Sequence, residues 1–209
     1  SPETVLRTEQ HAGAAFFRKV LRKKDLAFLI SFGPEVELMQ DYTASPDYLQ
    51  RALDRLEIRG GTPNVGLPGP VPTIGQPRGT VLYDAVWLAA REKLNGEVGR
   101  KALILLTDGV DMGSRVSRDD AIEAAQKADA IIYSIYYVDP RMYAGTGFWP
   151  SSGDLKKLSE ETGGRLFEVD RKFSLDEVFS QIQEELRSQY AIGYNPTNPS
   201  KDGSFRKVE

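Results

Sequence analysis

The chain has 209 residues, 40% of them apolar and 27% charged, with a formal net charge of -3 and no cysteine. That length suffices for one α/β domain with a sizeable core. The near-neutral, slightly acidic balance argues against a general affinity for nucleic acid or anionic membrane. The missing cysteines exclude disulfides, thiolate chemistry and zinc–cysteine sites. No apolar run approaches the ~18 residues that a membrane-spanning helix needs, and the opening Ser1-Pro2-Glu3-Thr4 does not read as a secretion leader.

Taken in order, residues 2–21 read as a helix. Val5, Leu6, Gly13, Phe16, Phe17, Val20 and Leu21 lie on one stripe, with Pro2 in the first turn and Ser1 as its cap. Residues 26–32 (Leu-Ala-Phe-Leu-Ile-Ser-Phe) form a buried strand. Gly33-Pro34 turns the chain into an alternating segment, Val36 to Asp41, expected to pair antiparallel as an edge strand. Ser45-Pro46 opens a second helix, with Tyr48, Leu49, Ala52, Leu53 and Leu56 inward. Between Arg59 and Gly79, six glycines and five prolines rule out regular structure and mark a functional or mobile loop. Residues 80–94 return to helical periodicity.

Lys101-Ala-Leu-Ile-Leu-Leu-Thr107 is an apolar run that ends abruptly at Asp108-Gly109. It reads as a strand buried on both faces of a parallel sheet, delivering a carboxylate to the carboxyl edge, where open α/β sheets bind ligands. Ser117-Arg-Asp-Asp120 then caps a helix to about Ala128, and residues 130–138 form another strand. Tyr143, Phe148 and Trp149 punctuate the loop at 139–152, chiefly as cover for the core. A short helix at 154–162 ends at Gly163-Gly164, followed by a strand at 166–169 and an amphipathic helix at 175–186. Residues 190–194 and 205–208 flank a turn and form a C-terminal hairpin extension within 189–209. The alternation implies a single doubly wound, Rossmann-like α/β domain over residues 1–209. Its sheet is mostly parallel, with helices on both faces and one antiparallel edge strand.

The residues around Asp108 carry no catalytic motif. There is no Gly-x-Ser-x-Gly elbow, phosphate loop or dinucleotide fingerprint, and His11 has no second histidine or cysteine to join it. Asp108-Gly109 on its own is also a common turn after a strand. Thr80 on its own serves equally as a helix cap, and Thr62, in Gly60-Gly61-Thr62, is its rival as a candidate ligand. Asp84 suits the first turn of its helix; Asp111, and Ser114 like it, read as solvated or loop-structuring, with support of a metal ligand from behind as the alternative. Arg18-Lys19 and Arg22-Lys23-Lys24 read as a solvated helix face and exit.

Arg78-Gly-Thr-Val-Leu-Tyr-Asp-Ala85, Arg100-Lys-Ala-Leu-Ile-Leu-Leu-Thr-Asp-Gly109, Tyr190-Ala-Ile-Gly-Tyr-Asn-Pro-Thr-Asn198 and Asp202-Gly-Ser-Phe-Arg206 occur in that order. Together with Ser1, these segments make the chain resemble the von Willebrand factor type A domain, in its bacterial, acidobacterial-type branch, over nearly its whole length. The resemblance implies a metal-ion-dependent adhesion site in which Asp108 and Thr80 are ligands. Ser1 would be the last residue of an Asp-x-Ser-x-Ser element whose first part lies ahead of it. The implied cofactor is Mg²⁺, or Mn²⁺ or Ca²⁺, and the implied partner is a protein presenting an acidic side chain. An extracellular or cell-envelope location follows from the resemblance alone.

Mg²⁺ takes oxygen ligands and keeps exchangeable positions. One carboxylate with a few hydroxyls leaves it short of negative charge, which suits binding a partner's carboxylate rather than hydrolysis. Three functions are therefore weighed. The first is a cation-dependent, non-enzymatic interaction domain; the second is a metal-independent structural or assembly module. The third is a metal-assisted phosphohydrolase using Asp108, Asp111 and Asp84. The element order also starts on a helix, so the first central strand of the fold is missing from the series. It is expected beside residues 101–107, supplied from upstream, by another chain or by a rearranged neighbour.

Overall fold

The computed structural model describes residues 2–56, 80–138, 143, 149–170 and 173–188. Helix α1 (Pro2–Val20) leads to strand β1 (Ala27–Phe32), which turns back into β2 (Val36–Thr43), and α2 (Pro46–Asp54) follows. Helix α3 (Leu82–Leu88) continues as a π-helical turn over Ala89–Leu94 and feeds β3 (Lys101–Thr107). Then come α4 (Arg118–Lys127), β4 (Ala130–Tyr136), α5 (Gly153–Glu160), β5 (Leu166–Glu168) and α6 (Leu175–Arg187). The α/β class, the antiparallel hairpin and the order of elements agree with the sequence reading. The Gly/Pro-rich segment at 59–79 and the expected C-terminal hairpin lie outside the described residues, as does Ser1.

Local chemistry sets several of the boundaries. Ser117 and Ser174 each accept the N3 amide of their helix while Asp120 and Glu177 reach back to the cap amide, two reciprocal capping boxes opening α4 and α6. Gly163, at φ +83°, ends α5 in a conformation that costs glycine little. Gly164 has a steric reason: a Cβ built there would stand 2.0 Å from the Ile132 carbonyl oxygen, so the crossing against β4 tolerates no side chain.

The strands form two ladders. One is parallel, in the order β3-β4-β5; the other is the antiparallel pair β1-β2. Helices α3, α4 and α5 cover one face of the parallel ladder through Leu82, Val86, Ala121, Ala125, Leu155 and Leu158, packed on Leu103, Leu105 and Ile132. Helices α1 and α6 cover the other through Ala12, Phe16, Val178, Phe179 and Ile182, packed on Tyr133 and Ile135. Phe28, Ile30 and Phe32 of β1 pack against the first of these clusters, so both ladders share one core.

Strand β3 corrects an expectation. The apolar run predicts burial on both faces, yet only Leu103 and Leu105 are buried and the rest are half-buried. The reason is that β3 has a hydrogen-bonded neighbour on one edge alone, whereas β4, paired on both, buries five of its seven residues. Among the described residues nothing rearranges to join β3 to β1. The split falls where the sequence places the missing central strand.

Candidate functional site

The carboxyl ends of β1 and β3 converge on the segment just ahead of α3. The amide of Val81 donates to the Gly33 carbonyl at 2.9 Å, and the Thr80 carbonyl accepts the amide of Met112 at 2.9 Å. One peptide unit thus ties the end of β1 to the turn that follows β3. Val81 occupies the cap position of α3 and has no side-chain acceptor to offer. The first-turn amides are satisfied from the neighbouring loop instead. Tyr83 N–H donates to Ser114 Oγ at 3.0 Å and Asp111 Oδ1 at 3.3 Å, and Asp84 N–H donates to Ser114 Oγ at 3.2 Å.

The loop is held in return. Asp84 Oδ1 accepts the amides of Arg115 at 2.8 Å and Val116 at 3.0 Å, and Ser114 Oγ donates to Asp111 Oδ1 at 2.5 Å. Asp84, the acid in the first turn of α3, thus also holds the 111–117 loop. Asp111 and Ser114 order the loop, as the sequence suggested, and also cap α3 from a distance, which the sequence did not reveal.

Asp108 is placed differently. Its Oδ1 accepts the amide of Val110 at 3.1 Å in a local turn, and its Oδ2 accepts the hydroxyl of Tyr143. Gly109 makes that turn at φ +79°, and a Cβ there would meet the Ser151 carbonyl at 3.0 Å and Leu155 at 3.2 Å. The turn thus packs directly against the start of α5. Burial, and then the bond to Asp108, hold the Tyr143 hydroxyl above its ordinary value of 10.0, so it remains a donor. Tyr143 meets Trp149 edge-on with ring centroids 6.3 Å apart, and Trp149 is 58% exposed. Trp149 is thus rim rather than core cover, as is Met112, 64% exposed beside Thr80.

The hydroxyl of Thr80 makes no hydrogen bond among the described residues and does not cap α3, which removes the simpler role for it. Thr80 and Asp108 are both half-buried, and the Thr80 carbonyl is bonded to Met112 in the turn that follows Asp108. Ser1 and Thr62 lie outside the described residues. His11 is exposed on α1. Among the described residues no three histidines or acids group to hold a metal ion. Any cation here would draw on one carboxylate and hydroxyls, a donor set suited to a hard dication that completes its shell elsewhere.

A polar brace, not legible in the sequence, borders the site. Tyr83 Oη donates to Asp154 Oδ2 at 2.7 Å and Arg118 Nη1 to Asp154 Oδ1 at 2.5 Å, joining α3, α4 and α5. Asp119 extends the brace to Lys157 at 2.9 Å. The Tyr83 hydroxyl, and secondarily Arg118, hold the Asp154 carboxyl below its ordinary value of 3.8.

No family model matches the chain, and neither does any curated protein. Solved structures do. An aerotolerance-related membrane protein from Bacteroides fragilis superposes with a TM-score of 0.62 at 14% identity, over 88% of this chain and 89% of that one. The BatB protein from Bacteroides thetaiotaomicron gives 0.58 at 15% identity, over 87% and 86%. Proximal thread matrix protein 1 of the mussel byssus gives 0.57 at 10%, over 86% of this chain and 40% of that one. At these identities the likeness is one of fold, a von Willebrand factor A-like α/β architecture.

Proposed function

We propose that this chain is a von Willebrand factor type A domain of the bacterial branch. Its function is non-enzymatic: it binds an acidic side chain of a protein ligand through a divalent cation at the carboxyl edge of its sheet. Asp108 and Thr80 would hold the cation, with Ser1 as a further ligand. The observation that carries this reading is the joint placement of Thr80 and Asp108. A hydroxyl with no bond among the described residues and a half-buried carboxylate stand at the carboxyl edge, with the Thr80 carbonyl bonded to the turn that follows Asp108. A bound dication would supply positive charge to that edge. The chain's own residues supply oxygen donors, a fixed turn at Gly109 and an apolar rim at Met112 and Trp149. For the cation to use both carboxylate oxygens, the Tyr143 hydroxyl must give way.

Hydrolytic chemistry is disfavoured by the fate of the other two acids. Among the described residues, Asp84 accepts two loop amides through Oδ1, and Asp111 accepts the Tyr83 amide and the Ser114 hydroxyl, so both acids serve as ties rather than standing free beside Asp108. The metal-independent alternative draws on the exposed Trp149 and Met112, which form a contact surface without any ion.

Titration calorimetry with Mg²⁺ and Mn²⁺ decides between the two. Saturable binding that Asp108→Ala abolishes and Thr80→Ala weakens is the expected result. Binding untouched by Asp108→Ala, or no binding of either cation, would sink the cation-dependent reading.

A further inference from the structure

The net charge of -3 conceals a segregation of charge between the two edges of the sheet. Strands β1 and β3 deliver their carboxyl ends to the same place, through Gly33 and Met112, so their amino ends share the opposite edge. The last turn of α1 and residues 21–26 lead into β1 there, and residues 95–100 lead into β3. The Arg187 guanidinium, in the last turn of α6, donates to the Lys19 carbonyl at 2.9 Å and brings a third element to that edge. Topology therefore gathers Lys19, Arg22, Lys23, Lys24, Arg100 and Arg187, all exposed, at one end of the molecule.

Two features set this end apart from ordinary solvated surface. The first is the lack of compensating charge. Among the described residues the side chains of Lys19, Arg22, Lys23 and Lys24 have no hydrogen-bond or ion-pair partner. Arg118, Lys127, Lys157 and Arg165, by contrast, are each paired with an acid. Asp25, the acid next in sequence, directs Oδ2 to the Arg22 amide at 3.0 Å. Like charges set this closely repel one another, and an anionic partner would relieve that repulsion. The second feature is apolar. Leu26 is 60% exposed and Val98 is 100% exposed, each within a few residues of these cations. Val98 stands in a turn between Gly96 and Gly99, whose φ angles of +85° and +103° suit glycine.

We infer that this edge docks on an anionic phospholipid bilayer. Lys19, Arg22, Lys23, Lys24 and Arg100 lie among the headgroup phosphates, and Leu26 and Val98 reach the boundary with the acyl chains. The combination selects this occupant. A bilayer surface is layered, anionic outside and apolar beneath, and answers both kinds of side chain at once. A nucleic acid would satisfy the cations and leave Leu26 and Val98 in water. Asp129, Glu160 and Glu161 are exposed around the amino ends of β4 and β5, which confines the basic surface to the side of β1 and β3. Among the described residues no helix is long and apolar enough to cross a bilayer, and the docking proposed is a surface association. Docked this way, the domain holds Thr80 and Asp108 away from the lipid, at the far end of an α1 whose nineteen residues span ~28 Å. The inference stands whether or not a cation binds there.

Sedimentation of residues 1–209 with lipid vesicles tests it. At about 50 mM salt the chain should bind phosphatidylcholine vesicles containing about a third phosphatidylserine ~10-fold or more tighter than phosphatidylcholine alone. Raising the salt to about 500 mM should release it. Arg22→Glu, Lys23→Glu and Lys24→Glu together should abolish the preference for the anionic vesicles. Leu26→Ser with Val98→Ser should weaken binding about fivefold and leave its salt dependence in place. Equal binding to both vesicles, binding to neither, or intact binding by the triple variant would overturn the proposal. So would capture by duplex DNA or polyglutamate that matches the anionic vesicles while the two serine substitutions change nothing. If a variant fails to fold, amide exchange of the unaltered chain decides. Residues 21–26 and 95–100 must gain protection on anionic vesicles while residues 108–114 do not, and the reverse pattern refutes the docking.

Discussion

Three aspartates stand at the carboxyl edge within one loop's reach of α3, and the fold uses them in opposite ways. Asp84 and Asp111 are each bonded to a backbone amide from a different segment, so both are structural ties between α3 and the 111–117 loop. Asp108 is bonded within its own turn and to a single phenol. The difference separates acids that hold the site together from the acid that the site presents. Residue type says nothing of this; the identity of the partner does.

The largest expected effect is on stability. Asp84→Ala removes the acceptor of two amides and should cost about 2 kcal/mol, given ~1–3 kcal/mol for leaving such groups unsatisfied. Asp108→Ala should cost less, about 1 kcal/mol, because it removes one acceptor within its own turn and one for a phenol that can turn to water. Denaturant melts of the two variants check this, and a reversed order would erase the distinction. The next effect concerns Tyr143, the displaceable partner of Asp108. Tyr143→Phe frees Oδ2 and should tighten cation binding about fivefold, the equivalent of a net hydrogen bond worth ~1 kcal/mol; unchanged or weaker binding by calorimetry would show that the phenol does not compete. The smallest effect is electrostatic and belongs to the brace beside them. The carboxyl of Asp154 is held below its ordinary 3.8, so its contribution is present above the ordinary carboxylate range and is lost as pH falls through the lowered folded value. With both partners partly exposed, that contribution is ~0.5 kcal/mol. Asp154→Asn should therefore flatten the acid limb of a stability–pH profile between about pH 5 and 3, and an unaltered limb would remove Asp154 from the account.

Much of the fold was legible because it rests on local signals. Alternation in Val36–Asp41 gave the hairpin, Ser117 and Asp120 gave the start of α4, and the uncharged run from Ala102 gave β3. The break in the helical element at residues 80–94 was not legible. Its α-helix begins only at Leu82 and gives way to a π-turn at Ala89, closed by Asn95 N–H on the Ala90 carbonyl. Of the candidate site, Asp108 and Thr80 were visible through strand-end position and motif. Ser114 as a remote cap, and Asp154 as the anchor for Tyr83 and Arg118, were not. Those bonds span thirty or more positions in sequence, and nothing in local pattern encodes such partners. Trp149 alone departs from the expected core cover, since Tyr143 is half-buried and Phe148 lies outside the described residues; a tryptophan among prolines and glycines looks the same whether it faces core or water.

Trp149 carries one more consequence. The chain has only two tryptophans. Trp87 lies on α3 with the Arg91 guanidinium 4.8 Å above its ring, away from this contact, while Trp149 touches Tyr143, and Tyr143 touches Asp108. An event that draws the carboxylate from the phenol is expected to alter the surroundings of the Trp149 indole. The domain is thereby fitted with its own optical gauge: a shift in ultraviolet emission that needs no attached dye and that Trp149→Phe would silence.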